Sequence, residues 1–162
     1  MNKRRIIKGR IRRLFPKLAA GRFQIASRKT DQYNCIAWAA GTDKRWWEPT
    51  PGYFWPNGVA GTATSVATAV LLYESLGFIV CDPPNAHLEE GFVKVAIFGN
   101  HQGYTHAARQ LENGKWASKL GALEDIEHDN LDDLTGSAYG EIKHIMKKDK
   151  GQPSREEGNL VS

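Results

Sequence analysis

The tripeptide Glu112-Asn113-Gly114 constrains the fold more than any other stretch, because Asn-Gly readily takes the positive-φ turn that joins two antiparallel strands with matching twist. It separates Thr105 to Leu111 (THAARQL) from Lys115 to Leu120 (KWASKL), and the two are predicted to form a hairpin. Val93 to Gly99 (VKVAIFG) and Phe78 to Cys81 read as further strands, and Arg22 to Ser27 (RFQIAS) as a short strand or extended lead-in. Cys35 to Ala40 (CIAWAA) is helix-compatible with Gly41 as its stop, and Thr62 to Leu76 is predicted as a helix ended by Gly77. Glu124 to Leu134 and Ser137 to Lys147 suggest two short helical segments, and the polar stretch from Lys148 to Ser162 reads as a disordered tail. Helix early and antiparallel strands late is an α+β order.

At 162 residues the chain suits one domain with its own core, and its 41% hydrophobic content puts it among globular chains. The expected organisation is a basic amphipathic segment over residues 1–20, one domain over 21–147, and the tail over 148–162. No apolar stretch approaches the roughly 20 residues of a membrane span, and no signal-peptide pattern follows the basic start. A cytoplasmic protein is expected, with leaderless export left open. The net charge of +4 conceals an asymmetry, since eight cations crowd Lys3 to Lys17 while acids gather between Glu124 and Asp133. Ile7, Ile11, Leu14 and Leu18 recur through that basic segment at helical spacing. Such a segment is either a docked helix or solvated tail, or an arm for an anionic surface such as nucleic acid, phospholipid or teichoic polymer. On the first alternative, loss of Met1 to Lys17 is expected to leave any catalysis intact.

Cys35 and Cys81 do not amount to a disulfide framework and read as thiols. Placed at the first turn of a helix, Cys35 is expected to be acidified by the exposed amides and helix dipole, and the same amides can bind an oxyanion. A histidine on a facing strand, His106, completes a nucleophile and general-base pair, expected as thiolate and imidazolium. The competing readings are a buried apolar cysteine and a hydrogen-bonded core histidine. His101 is a neighbouring competitor. His87, His128 and His144 read as surface residues without metal-ligand spacing, so neither a metal nor another cofactor is expected. The loop from Trp46 to Gly58 gathers Trp46, Trp47 and Trp55 with Tyr53 and Phe54. It lines a substrate groove, closes as a lid, or simply caps the core. Arg109 and Lys119, on the hairpin, recognise a substrate carboxylate or face water.

Tyr33-Asn34-Cys35, with Trp38 one turn on, resembles the nucleophile motif of the NlpC-type and CHAP branches of the papain-like cysteine hydrolases. The run from His106 through the Asn-Gly turn to Ser118 is similar to their second motif, a strand opening on the base histidine and a polar residue on the next strand. The likeness covers about Tyr33 to Gly121. It implies a papain-like core in which a catalytic helix packs on a small antiparallel sheet, with Cys35, His106 and Ser118 catalytic. Since serine departs from the family's usual orienting residues, Asp125 and Glu127 stand as alternatives. Asn34, Trp38, Trp46, Trp47, Trp55 and Arg109 are the candidate substrate contacts. The implied activity is cleavage of an amide bond in a peptide, an isopeptide or a murein stem peptide, in a family that includes effectors. The implied partners are such a peptide or peptidoglycan-like substrate and a protein partner or inhibitor. The alternative is an inactive papain-like binding module that works through its Trp-rich loop; a nucleic-acid-binding protein driven by the basic arm ranks last.

Overall fold

The computed structural model describes residues 2–59 and 63–151. Its centre is one antiparallel sheet of seven strands: β1 (Phe23–Ser27), β2 (Ile79–Val80), β3 (Phe92–Asn100), β4 (Gly103–Gln110), β5 (Trp116–Lys119), β6 (Asp125–His128) and β7 (Glu141–Asp149), in the order β1-β6-β5-β4-β3-β7-β2. Three helices accompany it: α1 (Lys3–Leu14), α2 (Cys35–Ala40) and α3 (Val66–Ser75). The arrangement is α+β. No helix among the described residues is long and apolar enough to cross a membrane.

β3 is buried along most of its length because both faces of the sheet are covered, which is why it reads as a nearly unbroken apolar run. Its side chains alternate between two cores. Val95 and Ile97, with Ala107 across on β4, share a core with Ile36 of α2, Leu72 and Tyr73 of α3, and Trp47 of the loop between the two helices. Ala96 and Phe98, with Ala108 across on β4, pack on the other face against Ile11, Phe15, Leu18, Trp116 and Leu134.

The basic segment is therefore a docked helix. Ile11 and Leu18 are fully buried and Ile7 is half-buried, as expected of a stripe seated on a sheet, whereas Leu14, expected in the same stripe, turns outward and is 43% exposed. Loss of residues up to Lys17 would uncover one of the two cores, to which Ile11 and Phe15 belong.

Neither segment expected as a helix near the C-terminus forms an α-helix, and each contributes a strand. Glu124 to Leu134 contains β6 and a single 3₁₀ turn, and Ser137 to Lys147 runs into β7. Ile142, Ile145 and Met146 fit a helical stripe by spacing alone, but β7 pairs with β3 from Glu141 to Asp149 and supplies the edge that buried β3 needs. Lys148 and Asp149 belong to that strand rather than to a tail. The rest of the expected tail from residue 152, and the expected helix start at Thr62, lie outside the described residues.

Candidate active site

α2 begins at Cys35 because Asn34 caps it. The Asn34 side-chain oxygen accepts from the Ala37 N–H at 3.2 Å and the Trp47 N–H at 3.1 Å, and its Nδ2 donates to the Trp47 carbonyl at 2.8 Å. One buried amide thus fixes both the helix start and the aromatic loop. Gly41 ends the helix at φ 97°, a left-handed conformation that suits glycine.

The sulfur of Cys35 lies against β4. The ladder between β4 and β5 pairs Gln110 with Trp116 and Arg109 with Ala117 and goes no further. Leu111 donates its N–H to the Lys115 carbonyl, so alternation along β4 turns the N–H of Arg109 and of Ala107 towards β5. At Ala107 no partner strand remains, and that N–H is directed at the Cys35 sulfur, as are the N–H groups of Cys35 and Ile36. Three amide donors therefore surround the thiol. Burial outweighs them: the residue is 7% exposed and its thiol is pushed up to about 11. The expected acidification is overturned in the resting protein.

His106 neighbours Ala107 but projects to the opposite face, beside its cross-strand partner Phe98 and stacked on Tyr139 at 4.2 Å with the rings 4° from parallel. Gly136 and Gly140 exchange backbone hydrogen bonds beneath Tyr139, and Gly140, at φ 73°, comes so close to the Gly99 carbonyl that a Cβ would collide with it. The imidazole is fully buried, and that burial, with His128 nearby, holds its pKa well below the ordinary histidine value. Its Nδ1 has no hydrogen-bond partner, so the expected thiolate–imidazolium pair is absent from this resting arrangement.

On the other side of the ring a chain of hydrogen bonds fixes the tautomer. His106 Nε2 lies 3.0 Å from Ser118 Oγ, Ser118 Oγ lies 2.8 Å from His128 Nε2, and His128 Nδ1 lies 3.1 Å from the Asn130 carbonyl. Burial lowers His128 to about 4, so it is neutral at neutral pH, and the carbonyl can only accept from its Nδ1–H. Its Nε2 must then accept the single Ser118 proton. Ser118 in turn accepts from His106 Nε2–H, which leaves the lone pair of His106 on Nδ1. One serine hydroxyl thus bridges two buried imidazoles.

The structure thus brings His106 and Ser118 together and adds His128, which is fully buried rather than on the surface. The signal for it was the strict alternation of Asp125-Ile126-Glu127-His128, which puts His128 on the face of Ile126 and Ser118. Asp125 and Glu127 fall on the other face for the same reason. Asp125 accepts from Ser27 at 3.0 Å, and Glu127 pairs across from Gln24 and Ala117, so neither alternative orients His106.

The expected substrate contacts separate similarly. Trp47, 1% exposed, is core, and Asn34 is a cap. Arg109 lies beside Gly41, at the far end of α2 from Cys35. The three N–H groups of Lys119 are occupied by the carbonyls of Thr30, Gly121 and Leu123. Trp46 donates to Glu48, while half-buried Trp38 and Trp55 each keep a buried indole N–H without a partner. His101 is exposed on the turn between β3 and β4.

A small mixed domain with an asparagine-capped helix that opens on a cysteine, packed on an antiparallel sheet, is the class that fold and site define. Its particular membership follows from comparison: a protein-family model described as a domain of unknown function, DUF7689, matches residues 24–147, and the chain belongs to that family. The match runs from the second residue of β1 into β7 and leaves α1 outside. No curated protein and no solved structure matches the chain.

Proposed function

We propose that this protein is a papain-like thiol hydrolase that cleaves an amide bond in a peptide, an isopeptide or a murein stem peptide, with Cys35 as nucleophile and His106 as general base. The observation that carries the reading is the opening of the β4–β5 ladder at Ala107, where the Cys35 sulfur meets a strand amide next to a histidine whose free lone pair is on Nδ1. Because the thiol is raised and the imidazole lowered, the pair rests neutral. Catalysis then requires Sγ and Nδ1 to come within hydrogen-bond reach as substrate enters. The thiol proton passes to Nδ1 while the sulfur–carbon bond forms, and the Cys35 N–H stabilises the oxyanion. Collapse breaks the carbon–nitrogen bond, with the proton leaving Nδ1 for the departing amine. Water then hydrolyses the thioester, again with His106 as base, and returns Cys35 to the thiol. Ser118 and His128 keep the Nε2–H tautomer throughout.

The test is acid-quench mass spectrometry of the full chain with murein stem peptides and protein substrates. An acyl adduct on Cys35, absent in Cys35→Ala and slowed about 10²–10⁴-fold in His106→Ala, is the expected result. Turnover that survives Cys35→Ala overturns it.

The burial of both side chains favours a second reading, a non-catalytic papain-like binding module. It requires Cys35→Ala to fold and to keep full biological activity.

A further inference from the structure

A cleft of about 770 Å³ lies between α1 and β1, apart from Cys35 and His106. Lys3, Arg4, Arg10, Arg28 and Lys29 supply five cations to its lining, and the one acid among its lining residues, Glu124, is held by Arg10. Ile7 and Ile25 give it an apolar floor. Two further features say what kind of chain would fill it.

The first is a free strand edge. Among the described residues β1 ends the sheet, pairing with β6 on one side only. The Arg22 carbonyl accepts from the Asp129 N–H, so it and the backbone of Gln24 turn towards β6, and alternation turns the backbone of Phe23 and Ile25 outward. Lys8 Nζ covers the Phe23 carbonyl at 3.3 Å. The N–H and carbonyl of Ile25, a residue that lines the cleft, remain at this outer edge without a partner strand among the described residues, as a template for an added strand. The second is the placement of charge on α1. Its first turn contains no acid and begins Lys3-Arg4-Arg5, although cations are unfavourable at the positive end of a helix. An anion in the cleft would relieve that arrangement.

We propose that this cleft binds an extended acidic peptide segment, added as a strand to the outer edge of β1 with its carboxylates against Lys3, Arg4, Arg28 and Lys29. An extended peptide fits both features at once: its backbone completes the Ile25 hydrogen bonds, alternate apolar side chains meet Ile7 and Ile25, and the intervening acids meet the cations. Nucleic acid matches the charge but not the edge, and the cleft has no aromatic ring on which a base could stack. The cleft is completed by α1, which lies outside the family match.

The experiment is fluorescence anisotropy of the full chain with a labelled heptapeptide of alternating glutamate and valine. Saturable binding is expected, weakened about tenfold or more in the exposed-residue double variant Arg4→Glu/Arg28→Glu, and to a similar degree when prolines replace the valines and remove the strand donors. Circular dichroism of the double variant checks its fold. No binding, equal binding of the proline peptide, or equal affinity in the double variant overturns the proposal. A charge-matched oligonucleotide that binds more tightly than the heptapeptide overturns it in favour of nucleic acid.

Discussion

Ser118 carries more than its size suggests, because its single hydroxyl satisfies two buried imidazoles. Ser118→Ala leaves His106 Nε2 and His128 Nε2 buried and unpaired, and a loss of about 2–4 kcal/mol is expected in urea unfolding, from two orphaned groups at about 1–3 each with partial relaxation. If His106 is the base as proposed, the same variant should lower kcat more than it raises KM in a turnover assay, since it loosens the tautomer of His106 rather than a substrate contact. His128 makes stability depend on pH. Its folded value of about 4 lies below the ordinary 6.5, so the folded protein resists a proton that the unfolded chain accepts. That contribution is complete above pH 6.5 and is lost as pH falls towards 4, on the order of 3 kcal/mol for this residue, with His106 acting in the same direction. Urea unfolding measured at steps between pH 7 and pH 4 reads the slope, which His128→Gln should flatten. The Cys35 thiol has the opposite edge: alkylation by iodoacetamide should stay slow through neutral pH and rise only towards pH 11, whereas a plateau at mildly acid pH would reveal an ion pair.

Among the elements, α1 shows how far a charge run can mislead. Its cations face solvent and the cleft, while Ile11 and Phe15 help to close one core. Ile11→Ala is expected to cost about 2–4 kcal/mol and Leu14→Ala, largely exposed, under about 0.5, a contrast that thermal or urea denaturation resolves. Asn34→Ala removes the α2 cap together with both ties to Trp47. Beyond a loss of about 2 kcal/mol, faster proteolysis within residues 46–58 is expected, since the loop loses its anchor. The elements legible in the sequence were those with local signatures: the Asn-Gly hairpin, the Cys35 helix with its glycine stop, and the apolar run of β3. The strand β7 was not legible, because Ile142, Ile145 and Met146 satisfy a helical spacing equally well and only the open edge of β3, far away in sequence, decides between them.

On the scale of the molecule, two cores on either side of one sheet explain which parts of the site could be read in advance. Motif spacing anticipated the meeting of His106 and Ser118, but spacing carries no information about which face of a strand a side chain takes. That choice, fixed by the pairing of Phe98 with His106, sends the imidazole away from the α2 side and into the company of His128. It also excludes Asp125 and Glu127, which were near in sequence and on the wrong side of β6. The charge balance was legible as an asymmetry, but its consequence depended on where α1 lands, beside the unpaired edge of β1.

The parallel stack of Tyr139 on His106, with the edge of Phe98 closing in from another side, has a kinetic consequence. A planar ring hemmed in this way cannot turn over in place, because its rim would sweep through its neighbours; the stretch held by Gly136 and Gly140 must first lift. Aromatic flipping at Tyr139 should therefore be slow enough to split or broaden its ring resonances in NMR spectra near room temperature, and a narrow averaged signal would show that the stack yields freely.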